Sequence, residues 1–76
     1  MYYLVNFRIR DGMSNLLKST TIFSATDTGA VMQVQSISPS VNSIQILGMA
    51  EDEAGLARIK DKLMQKGVPV GVHWKF

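Results

Sequence analysis

Apolar and polar residues alternate with period two from Tyr2 to Arg10, and the alternation stops at Asp11-Gly12. No other feature restricts the fold so strongly. Period two is the repeat of a strand with one face buried. Asp-Gly is a strong reverse-turn dipeptide. Tyr3, Val5, Phe7 and Ile9 make the better core face, and Tyr2, Leu4, Asn6, Arg8 and Arg10 lie opposite. Ser14 and Asn15 extend the loop, and Leu16 to Ala25 reads as the returning strand of a hairpin. The β-branched Thr20, Thr21 and Ile22 favour that reading. Lys18, Thr20 and Ile22 are assigned to the side that carries Tyr2 and Arg8.

Thr26 or Asp27 can cap a first helix, with Ala30, Val31, Val34 and Ile37 at helical spacing. Gly29 and the β-branched residues weaken it, and Ser38-Pro39-Ser40 ends it. Val41 to Ala50 reads as a third strand. Asp52 is an N-cap candidate for a second helix with Leu56, Ile59 and Leu63 on its buried stripe. Gly67 suits the position just past its end, and Pro69 prevents continuation. Val68, Val70, Val72, Trp74 and Phe76 then alternate with Pro69, Gly71, His73 and Lys75. That wholly apolar even face is expected to be buried in a last strand, so truncation at Phe76 is expected to be harmful.

The order is β-β-α-β-α-β in a single domain spanning residues 1–76. The expected fold is α+β: a four-stranded mixed sheet with two helices on one face, ferredoxin-like in layout. The second helix is expected to cross over between the third and fourth strands, with right-handed sense if they are parallel. A core this small supplies only about 3–5 kcal/mol, so association with a second copy would add needed burial.

The chemistry is bounded by what the chain carries. It has no cysteine and one histidine, so disulfides, thiolate metal sites and most zinc sites are excluded. The acids Glu51, Asp52 and Glu53 fit capping and the helix dipole better than metal binding. The glycines match neither nucleotide-binding spacing, and no Ser elbow occurs. No catalytic residue, cofactor or metal is expected. No apolar run approaches the roughly 20 residues of a membrane span, so no membrane partner is expected and the location is read as cytoplasmic.

With both helices on one face, the other face would be open. Tyr2, Leu4, Ile22, Leu47 and Met49 would give it an apolar centre. Arg8, Arg10, Lys18, His73 and Lys75 would give a basic rim, and no acid falls on it. Such a face suits contact with a protein partner or a second copy of the chain. The alternative occupant is single-stranded nucleic acid, with the same cations on phosphates and Tyr2 or His73 stacked on bases. The net charge of only +2 and the short supply of exposed rings favour the protein reading. The function expected is therefore non-enzymatic binding, with a small enzyme as a further alternative.

Overall fold

A computed structural model describes residues 1–75. Its strands are β1 (Tyr2–Asp11), β2 (Ser14–Phe23), β3 (Val41–Ala50) and β4 (Val72–His73). Its helices are α1 (Asp27–Gln35) and α2 (Glu53–Gln65). The element order and the α+β class are those the pattern predicts, and the sheet order is β3-β1-β2-β4. Among the described residues, no helix is long and apolar enough to cross a membrane.

The hairpin turns on Gly12, whose φ of 61° is the left-handed value needed at the first position of a two-residue loop. Asp11 is therefore opposite Ser14, and each odd residue of β1 faces an even residue of β2. Thr26 caps α1 by accepting a hydrogen bond from the Gly29 N–H at 3.0 Å. Asp52 caps α2 in the same way, accepting from Gly55 N–H at 2.7 Å. Asp52→Ala is expected to cost about 1 kcal/mol. Urea unfolding checks this: an unchanged midpoint would show that the bond adds nothing.

The helices lie on opposite faces of the sheet, which corrects the expectation of one helical layer. Ala30 and Val34 of α1 are buried with Tyr3, Val5, Phe7 and Ile22. On β3, Gly48 is paired with Leu4, whose side chain points the other way. A Cβ on Gly48 would lie 2.8 Å from Ile59 Cγ2 of α2. One on Gly55 would lie 2.8 Å from Ala50, the partner of Tyr2. The helices make no contact with each other.

Topology explains the arrangement. β1 is antiparallel to β2 and β3, and β4 is parallel to β2, so β2, β3 and β4 run the same way. The α1 connection steps from β2 across β1 to β3, and the α2 connection steps back across β1 and β2 to β4. Two crossovers of one hand that step in opposite directions must use opposite faces.

The last strand is also shorter than its alternation predicts. Val68 and Val70 are half-buried, while Val72 is 68% exposed. The reason is that α1 packs on β1, β2 and β3 but not on β4, so nothing among the described residues covers Val72. Phe76 and the expectation placed on it lie outside the described residues.

β4 is held by side chains instead of by a long ladder. The buried Asn6 donates to the Pro69 carbonyl at 2.8 Å and accepts from the Gly71 N–H at 3.1 Å. Ser19 Oγ donates to the Gly71 carbonyl at 2.7 Å. The Trp74 N–H donates to the Ser19 carbonyl at 2.7 Å. A Cβ on Gly71 would overlap the Lys18 backbone, so only glycine allows this approach.

Candidate binding surface

The register divides the residues expected to form one face. Tyr2, Leu4, Arg8 and Arg10 share the α2 side of β1. Leu4 is only 5% exposed there. Ile22 is opposite Tyr3, on the α1 side, and is 3% exposed in the core. Lys18 is opposite Phe7 and so belongs to the α1 side as well. Met49 is exposed but opposite Tyr3, again on the α1 side. Leu47 has no partner on β1, because a bulge between Leu4 and Val5 skips it. The single open face is thus not formed, and Leu4 and Ile22 are core residues.

The hairpin end gathers a different set. Ile9 and Leu16 are a facing pair there. With Arg10, Asp11, Lys18 and Trp74 they line a groove of about 320 Å³. Trp74 is half-buried, and its ring meets Phe7 edge-on at 6.2 Å between centroids. Phe7 therefore braces the indole from within the core. Lys18, half-buried, is the cation on the groove's own face, with Asp11 the one acid in the lining; Arg10 is exposed at the groove's edge, its side chain on the α2 side with Arg8. Met13, fully exposed at the turn, extends the apolar surface past the groove.

Arg8 lies on the reverse side and donates from its guanidinium to the Asn15 carbonyl at 3.2 Å. It therefore braces the hairpin as well as adding charge near its end. His73 is exposed and paired with Ser19, and Lys75 is exposed beyond it. Neither lines the groove.

The alternation assigns Ile9 and Trp74 to the core and gives Leu16 and Met13 no role in a surface. The signal that finds them is the turn length. A two-residue loop places Leu16 across from Ile9 and turns Lys18 toward the α1 side. No family model, no curated protein and no solved structure matches the chain.

Proposed function

We propose that this chain is a small non-enzymatic interaction module that contacts a protein partner, or a second copy of itself, through its hairpin end. One observation carries the reading: the groove joins Ile9, Leu16 and Trp74 to the cation Lys18, with Arg10 at its edge. Burial of an apolar floor supplies affinity, while charges around it set orientation and rate. A volume of about 320 Å³ stands near the lower bound of about 300 Å³ for ligand pockets. It suits one anchoring side chain with acids beside it.

The same groove supports a second reading, single-stranded nucleic acid, because an indole beside a cation can stack a base. A titration followed by backbone amide shifts separates the two. Poly-glutamate is expected to shift Ile9 to Asp11, Leu16 to Lys18, and Trp74. Arg10→Glu combined with Lys18→Glu is expected to weaken that binding by about tenfold or more, equivalent to about 1.4 kcal/mol. A mixed-sequence oligonucleotide that binds more tightly, with a steep loss on adding salt, would put nucleic acid first. Shifts confined to the far end of the sheet would remove the hairpin end from both readings.

A further inference from the structure

The topology sorts charge along the strands. No Lys or Arg occurs between Lys18 and Arg58, and that stretch holds Asp27, Glu51, Asp52 and Glu53. The β2–α1 and β3–α2 junctions both lie at the end of the sheet opposite the hairpin turn, where Tyr2 pairs with Phe23 and Ala50. All four carboxylates are exposed there. Arg8, Arg10 and Lys18 lie on the hairpin half of the sheet, and Lys62 and Lys66 at the C-terminal end of α2 point the charge the same way. Five strand residues, about 17 Å, separate Lys18 from Phe23, and eight, about 27 Å, separate Arg10 from Tyr2, so both separations exceed the screening length of about 8 Å at physiological salt.

Each end also exposes apolar surface. At the acidic end Phe23 is 64% exposed and meets Tyr2 edge-on at 5.0 Å between centroids. Ala50, Tyr2 and Phe23 form one row across the sheet, so Glu51 follows one end of the row and Asp27 lies four residues beyond the other. At the hairpin end the groove offers an apolar floor with Lys18 on its face, Arg10 at its edge and Asp11 the one acid in its lining. An aromatic ring at the acidic end thus matches an apolar groove at the end where Arg8, Arg10, Lys18, Lys62 and Lys66 gather.

We infer that the occupant of the hairpin groove is a second copy of this chain, docking head to tail with Phe23 in the groove and its acids beside Arg10 and Lys18. This rests on the hairpin end being the working surface, and it names the partner. The contact is heterologous, so every docked copy leaves one groove and one acidic end free. Assembly then continues into a chain or closes into a ring.

Light scattering across protein concentration tests this, at about 0.01 M and about 0.15 M salt, where the screening length is about 30 and 8 Å. The average mass is expected to climb past a dimer at low salt and to fall at the higher salt. Arg10→Glu with Lys18→Glu makes both ends acidic, and Glu51→Lys with Glu53→Lys makes both ends basic. Each variant alone is expected to be monomeric, and their mixture is expected to associate. If the groove pair disturbs folding by circular dichroism, Arg10→Glu alone, at an exposed position, takes its place. Phe23→Ser is expected to weaken association at least tenfold.

Association that ignores these swaps would overturn the docking and point to another surface, such as the free edge of β3. A wild-type monomer at millimolar concentration and low salt would overturn it too. In that case poly-glutamate shifts at Arg10, Leu16 and Lys18 would keep the hairpin end as a binding surface for another protein. Their absence would remove that reading as well.

Discussion

Asn6→Leu is expected to free the C-terminal chain from the sheet and lower the melting temperature by roughly 10–25 °C. Asn6 is 4% exposed, and its amide holds two backbone groups that no ladder partner satisfies. It donates to the Pro69 carbonyl and accepts from the Gly71 N–H. Leucine fills similar space but can do neither. A buried backbone group left without a partner costs about 1–3 kcal/mol; the Gly71 bond is buried and the Pro69 bond only part-buried, so the pair costs about 2–4 kcal/mol. In a domain of this length each kcal/mol moves the melting temperature by about 4–8 °C. The loss should begin locally, because β4 has only two paired residues. Hydrogen exchange at Gly71 and Trp74 should accelerate more than at Val5 or Phe7. A variant melting within about 3 °C of the parent, with Gly71 and Trp74 still protected, would show that Asn6 does not hold β4.

Much of the fold was legible because local signals agreed with one another. Thr26 and Asp52 each combine a capping side chain with a following apolar stripe, and both cap their helices. Gly67, with φ of 79°, sits just past α2. Val41 to Ala50 is a strand over the range its composition indicates. The helix faces were not legible from periodicity, since α1 and α2 would each pack equally well on either side of β1. Strand order decides that question, and no local pattern encodes strand order here. The clue lay in β1 itself. Leu4 and Asn6 are buried along with Tyr3, Val5 and Phe7, the signature of a strand covered on both faces.

The binding surface was legible only in part. Arg10 and Lys18 were chosen for their charge, and both border the groove. Parity counted through a five-residue loop from Asp11 to Asn15 puts them on one face, whereas the two-residue loop puts them on opposite faces. A shift of one residue exchanges the faces of a strand, which is why Ile22 was read as exposed and is buried. The alternation from Val68 to Phe76 misled for another reason. A run of alternating valines fits a long strand, but the Asn6 clamp and the close approach at Gly71 commit the preceding residues to crossing the α2 face.

Phe7→Ala is expected to leave the chain largely unfolded at 25 °C. Phe7 is 0% exposed and belongs to the cluster in which α1 meets the sheet. Its ring lies among Val5, Ile22 and Val34 and meets Trp74 edge-on. Truncating a buried phenylalanine costs about 3–5 kcal/mol, through lost transfer energy and the cavity that remains. A core of this size supplies about 3–5 kcal/mol in all, so the two are comparable and the folded population collapses. Phe7→Leu keeps most of the volume and is expected to cost under about 1.5 kcal/mol. It should remain folded while the indole loses its edge contact. This milder variant links core to surface: Trp74 fluorescence and poly-glutamate affinity should both change, although Phe7 itself cannot reach solvent. An unchanged groove response in folded Phe7→Leu would show that Trp74 holds its place without the core beneath it. A Phe7→Ala protein that unfolds within about 1 kcal/mol of the parent would place the main stabilising contacts on the α2 side of the sheet.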